Sequence, residues 1–299
     1  MRIKAASLLL ALACVAVFAA PAQSDAVIGC GSVVTESVIL DHDIGPCPGS
    51  GIVVQGGSVT VDLNGHTISG LPGSGAGIRI EGSAALPIAD VRMTHGTVQG
   101  FGQGVSIFVD VQACVPSSTI SVEQLVIRAN GTGIGMFGYT GSCMTVNVTG
   151  NRIADNAGDG ISVLQLGSTH VVANDVVKNG GVGIRGFLDG IRLVEDNFVA
   201  QNGEGGIKLD DTLSIVKGNL ILKNRGVGLS IQDTISALIP TYVVADNVAD
   251  GNDGGGMIAG SFPDPPGPPT GSGNAAKSNG NFQCILIKCA ANVGQAKKG

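Results

Sequence analysis

Between residues 151 and 256 one pattern recurs: Asn, a hydrophobic residue two places on, Asn at the sixth place, Gly at the tenth, then an aliphatic residue or Met. The copies begin at Asn151, Asn174, Asn197, Asn219 and Asn247, in steps of 23, 23, 22 and 28 residues. A fixed period of this size means stacked supersecondary units, each too small to bury its apolar face alone. Each copy splits into short β-type runs, such as Gly160-Ile161-Ser162-Val163-Leu164 and His170-Val171-Val172-Ala173, separated by Asn and Gly. One copy therefore reads as one coil of a single-stranded parallel β-helix, an all-β solenoid.

Weaker copies extend the pattern upstream through Asn130, Gly133 and Ile134, then Gly100, Gly104 and Val105, then Gly77-Ile78 and a strand over residues 58–63. Eight to ten coils are expected, forming a single domain over residues 23–292. Longer connections are expected at 71–76, 110–118, 138–142 and 237–241. The segment 261–273 carries Pro263, Pro265, Pro266, Pro268 and Pro269. Proline lacks the N–H that ladder pairing needs, so this segment reads as an exposed loop. The tail 293–299 reads as disordered.

Strand alternation assigns the two faces. Ile161, Ile184, Ile207, Leu229 and Met257 point inward. Ser162, Arg185, Lys208, Ser230 and Ile258 point outward, as do Leu164, Phe187, Asp210 and Gln232 two places further on. Both Asn series read as turn builders, because Asn tolerates left-handed backbone angles and stacked amides can bond from coil to coil.

Arg2 and Lys4, an apolar run over residues 8–20 and Ala20-Pro21-Ala22 form a signal-peptide pattern, with residues 1–22 removed on export. The run is too short to span a bilayer, and no later stretch qualifies. Loss of the leader takes the net charge from -6 to -8 and leaves no basic block. Nucleic acid and anionic lipid are thereby disfavoured as partners. Six of the seven cysteines remain after Cys14 departs. In an exported chain they read as disulfides between near neighbours: Cys30 with Cys47, Cys114 with Cys143, and Cys284 with Cys289. The first and last of these pairs would staple the solenoid ends.

The phrase Val59-Thr60-Val61-Asp62-Leu63-Asn64-Gly65-His66-Thr67-Ile68-Ser69-Gly70 resembles one near the N-terminus of secreted right-handed parallel β-helix repeat proteins of the pectin-lyase-like superfamily. Cys30-Gly31, Cys47-Pro48-Gly49, Gly273-Asn274, Asn279-Gly280 and Cys284 are similar to the ends of the same group. The resemblance implies a right-handed coil over nearly the whole exported chain. It leaves the activity open, because the superfamily holds sugar hydrolases, lyases, epimerases, carbohydrate-binding proteins and periplasmic copper-maturation factors.

The chemistry-bearing residues that do not repeat gather on one outward edge: Arg185, Lys208, Asp210, Asp211 and Asp233, with Asp189 nearby. Asp211 and Asp233 fall one coil apart, about 5 Å. Two carboxyls at that separation suit a retaining glycosidase, one as acid and one as nucleophile. The same acids could hold Ca2+ against a sugar carboxylate while Arg185 or Lys208 removes a proton in β-elimination. The bland alternative is a solvated outer face with weak ion pairs. Motifs of alginate epimerases, pectate lyases and polygalacturonases are missing, apart from Asp210-Asp211. Asp62, Asn64 and His66 alternate on one face as a small polar or copper site, against a plain Asn-Gly turn. The sequence thus points to a monomeric protein, secreted, periplasmic or at the cell surface, that binds extracellular or cell-wall polysaccharide without catalysis. The alternative is a polysaccharide hydrolase or lyase on the Asp cluster, and a weaker one is copper maturation.

Overall fold

The computed structural model describes residues 28–83, 85–109, 114–138, 144–164, 168–188, 190–210, 214–233, 242–261 and 269–290. The expected leader, the tail 293–299, Cys143 and Asp211 lie outside them. Every strand pairs in parallel with the strand one coil away, in a stack matching the eight to ten coils that the repeat predicts. Among the described residues there is no helix long and apolar enough to cross a membrane.

Three parallel ladders wrap the interior. The first contains Ile161–Leu164, Val182–Phe187, Gly205–Asp210 and Val227–Asp233. The second contains Met144–Thr149, Ser168–Val172, Ile191–Glu195 and Ile215–Lys217, and the third Arg152–Ala154, Asp175–Val177, Phe198–Ala200 and Leu220–Leu222. The inward register is as the alternation requires: Ile161, Ile184, Ile207, Leu229 and Met257 are buried and stacked. Val171, Val194 and Val216 stack from the second ladder, and Val176, Val199 and Ile221 from the third.

The corners correct one expectation. The left-handed residue is the one before each Asn, not the Asn itself: Ala173, Asp196 and Asp246 in one series, Asp155, Lys178, Gln201 and Lys223 in the other, all at φ between 52° and 59°. A non-glycine residue pays roughly 1–2 kcal/mol for that angle. The Asn that follows supplies the compensation. Asn197 Oδ1 accepts both the backbone N–H and the side-chain amide of Asn174, at 2.9 and 3.0 Å. Its own Nδ2 donates to Val171 O at 2.8 Å and to Asn219 Oδ1 at 2.9 Å. The same bonds recur along Asn156, Asn179, Asn202, Asn224 and Asn252, all buried.

The glycine at the tenth place belongs to the same device. A Cβ on Gly183 would lie 2.8 Å from Asn202 Nδ2 and 2.8 Å from Gly206 O, closer than a carbon can sit. Gly160 and Gly228 meet Asn179 and Asn252 in the same way. Asn and Gly therefore recur together because one occupies the space that a side chain on the other would need.

The ends are stapled as expected by Cys30–Cys47 and Cys284–Cys289, whose Cα atoms lie 5.4 and 6.4 Å apart. The third pair falls outside the described residues with Cys143. Some expected connections are shorter than the sequence implies. Residues 71–76 lie within the continuous strand Thr67–Gly82 and form a bulge, where the register slips between Ser69 and Ser74. Ser118 is already laddered to Met144. The proline-rich segment rejoins the stack before residue 273, since Thr270 O and Ser272 O accept from Val244 and Asp246 at 2.9 Å. Residues 262–268 lie outside the described residues.

Asn197→Ala would leave the buried N–H of Asn174 and the carbonyl of Val171 without these partners. Each such orphan costs about 1–3 kcal/mol. Urea denaturation should therefore show a loss of about 3 kcal/mol, and an unchanged midpoint would contradict the role given to the ladder.

Candidate functional site

The first ladder turns two rows of side chains to solvent. One row runs Arg79, Ser106, Gly135, Ser162, Arg185, Lys208, Ser230, and the second Glu81, Phe108, Phe137, Leu164, Phe187, Asp210, Gln232. Arg185 and Lys208 are thus direct neighbours in register, and Asp210 lies between Phe187 and Gln232. Asp211 is outside the described residues. Asp233 ends its strand opposite Ser261, and the expected Asp211–Asp233 spacing falls outside the described residues with Asp211.

Arg185 is clamped. Its Nε lies 2.7 Å from Asp159 Oδ2, an ion pair without hydrogen-bond alignment, and its Nη2 lies 3.3 Å from Asp159 Oδ1 and 3.0 Å from Glu204 Oε2. Asp159 Oδ1 also accepts from Val182 N at 2.8 Å. The guanidinium sits 5.7 Å from the centre of the Phe187 ring. A side chain held on three sides is poorly placed to reach a substrate proton. Sequence places Asp159 in a turn and gives it no partner; the coil-to-coil stacking that brings it under Arg185 is visible only once the register is known. Lys208 makes no ion pair among the described residues. Asp210 Oδ1 is buried and has no hydrogen-bond partner among the described residues.

A feature absent from the sequence-derived site lies two to three coils before Arg185 on the same face. Phe108 and Phe137 stack with ring centres 5.7 Å apart and planes 11° from parallel. They border a depression of about 260 Å³ together with Gln103, Ser106, Thr132, Ser162 and Leu164. A second hollow of about 510 Å³ shares Gln103, Ser106 and Phe108 and extends to Ser74 and Arg79. The chain has eight Phe and no Trp, yet three of those Phe fall in one outward row. The repeat carries the signal: Phe108, Phe137 and Phe187 each come four residues after the glycine of their coil.

At the N-terminal coils, a corner gathers three imidazoles with carboxylates. His66 Nδ1 lies 3.3 Å from Asp43 Oδ1, His95 Nδ1 lies 3.3 Å from Asp62 Oδ1, and His42 contacts Asp41. Asp62 Oδ1 also accepts from Asn64 N at 2.8 Å, the bond of a tight Asn-Gly turn. Among the described residues no three His, Cys, Asp or Glu side chains are arranged to hold a metal ion. Neither the Ca2+ cage nor the copper site acquires a ligand set among them.

The family described as right handed beta helix region matches residues 27–191, more than half of the chain. The chain belongs to the right-handed β-helix family. Two solved structures resemble this β-helix. The Dettilon tailspike protein is 15% identical with a TM-score of 0.47, over 85% of this chain and 60% of that one. A mutant of the periplasmic alginate epimerase AlgG is 12% identical with a TM-score of 0.34, over 85% and 78%. The chain thus spans less than two thirds of the tailspike protein's length. No curated protein matches it.

The Asp43 carboxyl is held below the usual carboxylate range, chiefly by the hydrogen bond from Thr67 N at 2.8 Å, with His66 contributing. A lowered folded pKa gives a stabilisation that is complete above the unfolded value of about 3.9 and is lost as pH falls through the folded one. Hydrogen exchange should show the protection of Thr67 N–H falling once pH drops below about 4. Protection that persists unchanged to about pH 2 would contradict this.

Proposed function

We propose that this β-helix is an exported protein that binds extracellular or cell-wall polysaccharide along the outer face of its first ladder, without cutting it. The observation that carries the reading is the row Phe108, Phe137 and Phe187 flanked by Gln103, Ser106, Thr132 and Ser162. A sugar ring has an apolar C–H face and a rim of hydroxyls. Apolar rings beside amides and hydroxyls answer both. Coils recur at about 4.8 Å, so a glycan lying along the stack meets an equivalent position in every coil. Export is supported by the leader pattern and by the two disulfides, bonds of oxidising compartments.

Catalysis on Asp210, Asp211 and Asp233 with Arg185 or Lys208 is the second reading, favoured by the buried oxygen of Asp210 that has no hydrogen-bond partner among the described residues. The clamp on Arg185 stands against that residue as its base.

Phe108 is 45% exposed, so Phe108→Ala should leave the fold intact. It should weaken retention on immobilised polysaccharide by about tenfold, the scale of one aromatic contact of about 1.5 kcal/mol. Incubation with the same polymers should release no reducing ends and no unsaturated products. Released ends would favour the second reading, and undiminished binding by the variant would remove the Phe row from the site.

A further inference from the structure

Two of the three cations on the outer face are already committed to ion pairs. Arg79 pairs with Glu81, and Glu81 also accepts from Gln55 at 3.3 Å. Arg185 is shared by Asp159 and Glu204. Lys208 has no ion pair among the described residues, but Asp210 follows it two places on, along the same face of the same strand. Arg79, Arg185 and Lys208 are thus set against Glu81, Asp159, Glu204 and Asp210. No surplus of positive charge is left to attract a polyanion, and the net charge of the chain is itself negative, at -6.

Between these charged ends lies an uncharged platform. Its outward residues are Ser106, Gly135 and Ser162 in one row and Phe108, Phe137 and Leu164 in the next. Gln103 and Thr132 stand in register alongside. A chain bearing one carboxylate per sugar would lay its charges over rings and hydroxyls, with no cation to replace the lost water. Burying an ionised carboxylate without a partner is costly. A chain whose polar groups are all hydroxyls or amides loses nothing of that kind: its hydroxyls meet the Ser, Thr and Gln groups, and its C–H faces meet the rings.

We infer that the platform takes a neutral polysaccharide, one whose sugars carry hydroxyl or acetamido groups and no carboxylate. The inference rests on the glycan-binding reading and narrows it. The ion-paired arginines close the platform at its two ends, which gives it a length of about three coils at roughly 4.8 Å each. They hold the strands' outer rows in place and leave the sugar contact to the uncharged centre.

Affinity electrophoresis tests this with the purified protein. Gels containing a neutral β-glucan, glucomannan or glycol chitin should retard it. Gels containing alginate or polygalacturonate should not. The retardation should survive roughly 0.5 M salt, where screening acts over only a few Å. Phe108→Ala, with its fold checked by circular dichroism, should lose it about tenfold, while Phe198→Ala, an exposed aromatic on the third ladder, should keep it. Retardation by the uronates alone, abolished by salt, would overturn the inference and leave glycan binding standing. Retardation by none of the polymers would overturn both. A concentration-dependent dimer that Phe108→Ala dissociates would assign the platform to a second copy of the chain and overturn the inference as well.

Discussion

Each coil turns two corners at which a residue takes a left-handed backbone angle, and the buried Asn that follows bonds to its counterparts above and below. Everything else in the molecule depends on this arrangement. A single coil has too little apolar surface to fold alone. Stacking buries the inward Ile and Val rows, but hydrophobic contact has no direction and would tolerate slippage. The amide ladders fix the register, because a shift of one residue would leave each Asn Oδ1 without the donors it now satisfies. They also account for the glycines, which vacate the space the next coil's amide occupies.

Once register is fixed at the corners, it is fixed on the faces. The outward rows of the first ladder align residue by residue over successive coils, so side chains distant in sequence become neighbours. Asp159 comes beneath Arg185, and Phe108 stacks on Phe137. The outer face is therefore a linear array with the coil as its unit. It is divided into an uncharged aromatic stretch and an ion-paired one. The division matters for function, because ion pairs that satisfy one another contribute order more than they contribute binding capacity.

The solenoid was legible in the sequence because its determinants repeat: the Asn and Gly positions, the inward aliphatic row and the outward residues all stand where the period puts them. The two end disulfides were legible for a related reason, since both join near neighbours in the chain. The candidate site was less so. Arg185 and Lys208 were placed correctly, but the partners of Arg185 lie 26 and 19 residues away, and nothing local marks them. The Phe row carries no charge to mark it as a site, and its one sequence signal is its fixed spacing from the coil glycine. The corner residues were misassigned for a physical reason: Asn has a known tolerance for left-handed angles, but here its side chain is buried and the strain sits one residue earlier. The bulge at residues 71–76 looked like a loop because glycines and a proline lie inside a strand.

The central claim is that glycan contacts lie on the outer row of the first ladder. Hydroxyl-radical footprinting of the protein with and without a neutral polysaccharide tests it most directly, because the phenylalanines report on their own faces. Oxidation of Phe108 should fall when the polymer is present, while oxidation of Phe198 on the third ladder should stay the same. Equal protection of both, or protection of Phe198 alone, would contradict the account.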